Sequence, residues 1–352
     1  MDHGSESRTV LITGGCGFIG SNLVRHLLSL APASRVVNLD LLTYAGKVAS
    51  LADLPPEQRA RYTFVKGDIC DGACVAAVFE KYHPEMVLHL AAESHVDRSI
   101  TGPEAFVSTN LLGTQVLLSA ARHAWTDRRG KRFHHVSTDE VFGSLGEHGR
   151  FNEASPYNPS SPYAASKAGA DHLVRAYHHT YGLPVSISNA SNNYGPWQFP
   201  EKLIPLLITH ALTGRPLPIY GAGKNIRDWL HVEDHCAGIW AVATQGRVGE
   251  TYNVGGGVEL TNLAIAQKIC ALIDELGLGV PSMTGSPGTG GTERLIQFVA
   301  DRPGHDFRYA LDCGKIHREI GWRPIRSFDA GLRSTVEWYA ANRAWWEPLV
   351  KA

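Results

Sequence analysis

At 352 residues the chain is long enough for one large domain or two closely joined ones. Its 33 Lys and Arg against 34 Asp and Glu leave a net charge of −1, which excludes a polyelectrolyte arm for nucleic acid. No apolar run approaches the ~20 residues of a membrane span, and the polar start MDHGSESRT and six scattered cysteines point to a soluble cytoplasmic protein with reduced thiols and no metal site.

Apolar, β-branched runs TVLIT, RVVNLD, YTFVKGD, MVLHLAA, FHHVST and PVSISNA alternate with helical stretches at 20–30, 72–82, 110–125 and 164–181. Continuous apolar strands separated by helices predict an α/β fold, a Rossmann-like doubly wound parallel sheet covered on both faces. Ligands of such a sheet bind at the carboxyl ends of its strands.

The first strand runs into GGCGFIG and then a helix. Gly14, Gly17 and Gly20 suit a tight turn, close approach to a pyrophosphate and close helix packing. Asp40 ends the second strand about 20 residues on, where an acid accepts from the adenosine ribose. A 2′-phosphate would meet that negative charge, so NAD is expected rather than NADP. Asp68, after the third strand, is placed to meet the adenine edge.

The next strand ends converge on the same edge. LAAESHVDRS follows the fourth, with small Ala91 and Ala92 admitting a cofactor. STDEVFG follows the fifth and SNASNNYGP the sixth, so Ser94, Thr138, Asp139, Glu140 and Asn193 fall just past strand ends. His95 and Asp97 read equally as catalytic groups or as polar loop packing. Asp139 and Glu140 share a site only if the strand stops there and the backbone turns, because neighbours on a strand face opposite sides. Tyr163 and Lys167, four residues apart on a helix that Gly182 ends, share one face. An ammonium beside the phenol is expected to lower its pKa toward a usable base.

The second half is less explicit. Asn262, after Thr261, serves either phosphate binding or helix capping. Arg302 and His305 lie in a Pro-Gly loop, facing either a diphosphate or solvent. Tyr220 beside Pro218 stacks on a base or packs in a core. Residues 283–294, rich in Gly, Ser and Thr, read as a mobile loop.

GGCGFIG, Asp40 with LLTYAGK, LAAESHVDRSI, STDEVFG, YAASK, SNNYGPWQFPEKLIP, NIRDWLHVEDH and DRPGHDFRYALD together resemble the extended short-chain dehydrogenase/reductase superfamily, and within it the nucleotide-sugar 4,6-dehydratases. The resemblance spans residues 10–324. It departs at Ala190-Ser191, where relatives often carry Cys-Ser, and at Phe142, where they carry Tyr. It implies an NAD-binding part (1–190) and a smaller, mixed nucleotide-sugar-binding domain (191–352), with some interleaving. It further implies a homodimer built on helices 110–125 and 164–181, using Leu111, Leu112, Val116, Leu117, Leu118, Leu173 and Val174.

The implied substrate is dTDP-glucose, oxidised at C4, dehydrated across C5–C6 and reduced at C6, with bound NAD as a catalyst. Tyr163 is then the base toward the C4 hydroxyl, with Lys167 behind it and Thr138 donating to the C4 oxygen. Glu140 takes the C5 proton, and Asp139, kept protonated, gives one to the departing C6 hydroxyl. Two close carboxyls repel each other's charge, which splits them into an acid and a base. The implied cofactor set is Gly14, Gly17, Phe18, Ile19, Gly20, Asp40, Thr43, Asp68, Ile69, Leu90, Ala91, Ala92, Ser94, Thr109, Tyr163, Lys167 and Asn193. Substrate is expected to meet Ser94, Thr138, Asn192, Glu201, Lys202, Leu203, Pro218, Tyr220, Arg227, Asn262, Arg302 and His305, with Arg227 clamping the diphosphate. Alternatives are a 4,6-dehydratase of another nucleotide-sugar, a 4-epimerase, or a non-catalytic NAD-binding protein.

Overall fold

Strand β1 (Thr9–Thr13) shows how the alternating pattern becomes a layered fold. In the computed structural model, which describes residues 8–280, 291–301 and 304–350, Val10 and Ile12 enter one apolar layer and Leu11 the opposite one. Successive side chains on a strand point to opposite faces, so a wholly apolar strand must be covered on both. The chain continues through α1 (Phe18–Leu30), β2 (Arg35–Asp40), α2 (Pro56–Arg59), β3 (Tyr62–Lys66), α3 (Gly72–Tyr82) and β4 (Met86–His89). Short α4 (Val96–Thr101) and α5 (Glu104–Phe106) lead to α6 (Thr114–Ala124), β5 (Arg132–Thr138), α7 (Pro162–Tyr181) and β6 (Val185–Ala190).

These strands form a parallel sheet of order β10-β6-β5-β4-β1-β2-β3. Its outer strand, β10 (Thr251–Val254), comes from the second half of the chain. So does α9 (Val232–Gln245), whose Val232, Cys236, Ile239 and Ala243 pack with Leu23 and Val24 of α1. The expected helix 110–125 differs at its start. Its first turns are a wider π-helical segment, Val107–Gly113, which runs into α6 and brings Thr109 to the ligand cleft.

The remaining elements are β7 (Asn192–Tyr194), α8 (Leu203–Thr213), β8 (Leu217–Tyr220), β9 (Ile226–His231), β11 (Glu259–Thr261), α10 (Asn262–Glu275), β12 (Ile296–Val299), α11 (Gly314–Ile320), α12 (Phe328–Ala341) and α13 (Arg343–Val350). Strands β11, β9 and β7 make a small sheet, and β8 pairs with β12. They share an apolar core containing Tyr194, Leu207, Trp229, Ile269, Leu332 and Trp346.

Candidate active site

A cleft of about 380 Å³ runs along the carboxyl edge of the large sheet and receives residues from the ends of β1 through β6. One end is a cradle of backbone. Gly14 has φ of 73°, and a Cβ there would lie 2.8 Å from the Cα of Ala91. A Cβ at Gly20 would lie 2.1 Å from the carbonyl oxygen of Gly14, so both positions need glycine. The turn is pinned from β2: Gly15 N donates to Asn38 Oδ1 at 2.9 Å and Cys16 N to Asp40 Oδ2 at 2.8 Å. Helix α1 starts behind Gly17 with no capping side chain and no acid in its first turn. Its leading N–H groups and positive end therefore suit an anionic group in the cleft.

Asp40 Oδ1 accepts Leu42 N at 2.8 Å, so each carboxylate oxygen makes one backbone bond and keeps capacity for a hydroxyl. Thr43, Asp68, Ile69, Leu90, Ala91, Ala92, Ser94 and Thr109 line the same cleft. Every described residue of the expected cofactor set is thus on one surface, shaped for a dinucleotide.

The other end of the cleft holds the ionisable groups. Strand β5 stops at Thr138, and Asp139–Phe142 form a 3-10 turn whose first N–H bond, from Glu140 N, goes to Thr138 Oγ1 at 3.2 Å. That turn lets adjacent Asp139 and Glu140 both reach the cleft beside Tyr163. Asp139 is 2% exposed. Burial, then the charges of Glu140 and Asp228, push its carboxyl well above the usual range, which favours its protonated form. Phe142, the departure from the family Tyr, is buried and stacks on Phe151 at 5.1 Å between ring centroids, a place that asks for no hydroxyl.

Helix α7 is capped by Ser161, whose hydroxyl accepts from Ala164 N, with Pro162 at its first position and Gly182 at its end with φ of 66°. Tyr163, Lys167 and Asp171 are buried on it at successive i+4 spacings. The phenol is not activated as expected. Burial raises the pKa of Tyr163, Glu140's charge adds to this, and a hydrogen bond with Thr138 only partly opposes them. The Lys167 ammonium is engaged elsewhere, donating to Val136 O at 2.8 Å. Burial lowers its pKa to about 8, against the pull of Asp171.

The sequence reading missed the group that holds this lysine. His135 Nε2 lies 3.3 Å from Lys167 Nζ and 3.3 Å from Asp171 Oδ1, so the ring either accepts from the lysine or donates to the carboxylate. Burial and Lys167 bring His135 down to about 4, which keeps it neutral. Asp171 Oδ2 accepts from Ser137 Oγ at 2.9 Å and from the Tyr157 hydroxyl at 2.7 Å. Burial alone would lift Asp171, but His135, Lys167 and Arg175 outweigh it and hold the carboxyl below its usual value. The legible signal was Asp171's position, one further turn along the face of Tyr163 and Lys167.

Expected substrate residues divide into two groups. Ser94, Thr138, Asn192, Glu201, Lys202 and Leu203 line the cleft. Glu201 and Lys202 also tie its rim: Tyr44 donates to Glu201 Oε1 at 2.8 Å, and Lys202 Nζ to Ser94 O at 2.9 Å. His95 caps α4, accepting from Arg98 N, and its Nε2 lies 3.6 Å from Glu201, which favours the packing reading. Pro218, Tyr220, Arg227, Asn262 and His305 do not line this cleft; they gather around β8, β9 and the 304–309 segment. There Arg227 donates to Asp306 O at 3.0 Å and lies over the Tyr309 ring, and Tyr220 meets the His305 ring edge-on. Thr261, not Asn262, caps α10. Arg302, and residues 283–290 of the expected loop, lie outside the described residues.

His235, Trp229 and Ser191 are among the cleft residues that the sequence pattern does not single out. His235 Nδ1 bonds Asn193 Oδ1 at 2.8 Å, and burial lowers its pKa to about 3. Its Nε2, Trp229 Nε1 and Ser191 Oγ are buried cleft atoms without hydrogen-bond partners among the described residues, as are Asn192 Oδ1 and Asp139 Oδ2. Such unpaired polar atoms in one cleft suit a polar ligand, since each is costly if left dry and unbonded. Among the described residues no group of three or more His, Cys, Asp or Glu is placed to hold a metal.

Comparisons with known proteins agree with this geometry. The family model described as GDP-mannose 4,6 dehydratase matches residues 11–335. The chain is 54% identical to a probable dTDP-glucose 4,6-dehydratase of Sinorhizobium fredii, covering 97% of this chain and 95% of that one. It is 53% identical to the dTDP-glucose 4,6-dehydratase of Salmonella typhimurium, covering 96% and 94%. Among solved structures, DesIV, a dTDP-glucose 4,6-dehydratase of Streptomyces venezuelae with NAD and TYD bound, superposes with a TM-score of 0.86 at 50% identity, covering 97% and 99%. A Thermus thermophilus UDP-glucose 4-epimerase in complex with NAD gives 0.82 at 29% identity, covering 95% and 99%.

Proposed function

The chain belongs to the GDP-mannose 4,6 dehydratase family, and from that membership we propose that it converts dTDP-glucose to dTDP-4-keto-6-deoxyglucose and water. One observation carries this reading above a 4-epimerase: the 3-10 turn that brings Asp139 and Glu140 into the cleft beside Tyr163. An epimerase needs the phenol and the lysine but has no use for the carboxyl pair.

NAD fits the glycine cradle. Gly14, Gly17, Phe18, Ile19 and Gly20 would take its pyrophosphate and Asp40 its ribose, with Thr43, Asp68, Ile69, Leu90, Ala91, Ala92, Ser94, Thr109 and Asn193 along its length. When bound, NAD supplies the redox chemistry, accepting an electron pair with the C4 hydrogen and giving it back at C6. Tyr163 would take the proton of the C4 hydroxyl once ligand binding offsets the upward push of burial and Glu140 on its phenol, and Thr138 is positioned at the same oxygen. The resulting ketone acidifies the C5 hydrogen, and Glu140 removes that proton and later restores it. Asp139, kept protonated by burial and its acidic neighbours, protonates the departing C6 oxygen. Lys167 supplies positive charge beneath the phenol, held by His135 and Asp171.

Asn192, Glu201, Lys202 and Leu203 face the sugar nucleotide from the cleft. Pro218, Tyr220, Arg227, Asn262 and His305 would form the outer part of that subsite, with the Arg227 guanidinium suited to phosphate oxygens. Incubation with dTDP-glucose and UDP-glucose, following the alkaline absorbance of a 4-keto-6-deoxy sugar, tests the assignment. Product is expected from dTDP-glucose; product from UDP-glucose alone refutes the thymidine preference.

We keep the division into an NAD-binding part (1–190) and a nucleotide-sugar part (191–352) with some interleaving: one apolar cluster lies within each, while a third joins α9 to β1 and α1. A homodimer is supported by exposed Ile100, Val107 and Leu112 beside α6 and α7. Leu117, Leu118 and Val174, expected to serve a partner too, are wholly within the core. Sedimentation of the assayed protein should give twice the chain mass; a monomer at micromolar concentration overturns the dimer. Six unpaired cysteines support a cytoplasmic location, which cell fractionation checks. No helix among the described residues is long and apolar enough to cross a membrane.

A further inference from the structure

His235 has no task in the reaction proposed above, yet the hydrogen bonds around it run in only one consistent direction. Ser191 O is a carbonyl and can only accept, so the end of the Asn193 amide that meets it at 2.8 Å is the Nδ2 nitrogen. The other end, Oδ1, also only accepts, and it lies 2.8 Å from His235 Nδ1. The ring hydrogen is therefore on Nδ1. Burial keeps the imidazole neutral, so Nε2 is a bare acceptor, and it has no hydrogen-bond partner among the described residues. A buried acceptor left without a donor costs stability, so the fold alone would favour an apolar side chain on α9 here.

What the ring does hold is Asn193, which lines the cleft. A side-chain amide offers two N–H groups and two lone pairs. One N–H goes to Ser191 O and one lone pair to His235, which leaves one of each for a ligand. Gln198 Nε2 fixes the backbone of the same residue, donating to Asn193 O at 3.0 Å. Without the histidine the amide could turn over and exchange its donor for its acceptor. Sheet order says which part of a dinucleotide comes here. Asp40 and Asp68 follow β2 and β3 near one side of the sheet, the glycine cradle follows β1, and Asn193 lies beyond β6 toward the other. With the adenosine at Asp40 and the pyrophosphate at the cradle, the nicotinamide half extends toward Asn193 and Tyr163.

We propose that His235 is a positioning residue for the cofactor: its Nδ1–H fixes the amide of Asn193, which then presents one defined donor and one defined acceptor to the nicotinamide half of NAD. The proposal rests on the NAD reading given above. The next residue ties this part of α9 to the cradle itself, since Cys236 Sγ lies 3.8 Å from Ile19 O in the first turn of α1. The pyrophosphate cradle and the amide are thus held at a set distance by one helix.

The experiment titrates NAD, and separately ADP, into the full-length protein stripped of nucleotide, using native protein, H235N and H235L. ADP carries the adenosine and the diphosphate but no nicotinamide half. H235L has no donor for Asn193, and its Kd for NAD should rise by about tenfold, the scale of one well-placed hydrogen bond, while its Kd for ADP stays native. H235N keeps an N–H close to the position of Nδ1 and should bind NAD within about threefold of native. Native NAD affinity in H235L overturns the proposal. So does an equal loss of NAD and ADP, which would make His235 a packing residue, and so does a loss in H235N as large as that in H235L. H235F carries the same reading should H235L fail to fold. A native protein that binds no NAD would instead remove the cofactor reading itself, a result distinct from native binding that the variants share.

Discussion

Glu140→Gln should stop dehydration while leaving oxidation at C4 possible. The amide keeps the size of the side chain and removes the base that takes the C5 proton, and a positioned general base is worth roughly 10²–10⁴ in rate. Elimination should fall by that factor, and mass analysis of the sugar should find it with the C6 oxygen still in place. The substitution also lifts a negative charge from beside Asp139 and Tyr163, both of which that charge pushes upward. Their pKa values should therefore fall toward the ordinary ranges in this variant. Native rates of 4-keto-6-deoxy product from Glu140→Gln would overturn the role of Glu140 and return the epimerase reading to the front.

Asp171→Asn should cost stability as well as activity. It removes the carboxylate that compensates the buried Lys167 ammonium and the neighbouring His135, and breaking a buried charge pair from one side costs about 3–5 kcal/mol. Asp171 has its carboxyl held below the usual 3.8 by His135, Lys167 and Arg175, so its contribution is fully present above that value. As pH falls through the lowered folded-state pKa the contribution is lost, and the denaturation midpoints of native and variant should converge. Lys167 already sits near 8 and should drop further without Asp171, bringing the alkaline limb of kcat/KM to lower pH. Equal stability of native and variant at neutral pH would show that the network does not carry this charge.

Much of the site was legible because it depends on strand ends. A parallel sheet forces its ligand to one edge, and β1 through β6 each end where the alternation of apolar runs places them. The turn at Asp139 and Glu140 followed from a geometric need, since two neighbours on a strand cannot face one site. The direction of Tyr163's pKa was not legible. Spacing puts the ammonium of Lys167 near the phenol but says nothing of burial or of Glu140, and those outweigh it. His135 was hidden for a similar reason, being one more residue in an apolar strand until α7 brings Asp171 and Lys167 to it. The outer substrate residues lie on short strands and loops whose meeting place depends on long-range packing, not on local pattern.

The borrowed outer strand has a consequence for how the protein comes off the ribosome. When residues through 190 have emerged, β6 lacks the neighbour that Thr251–Val254 provides, and α1 lacks the apolar cover of α9. The nascent chain therefore displays a bare hydrogen-bonding edge and a greasy flank for some sixty more residues of synthesis. A release or stall in that interval leaves a fragment predisposed to cluster with its own kind, and slow translation there would make a trigger-type holdase valuable.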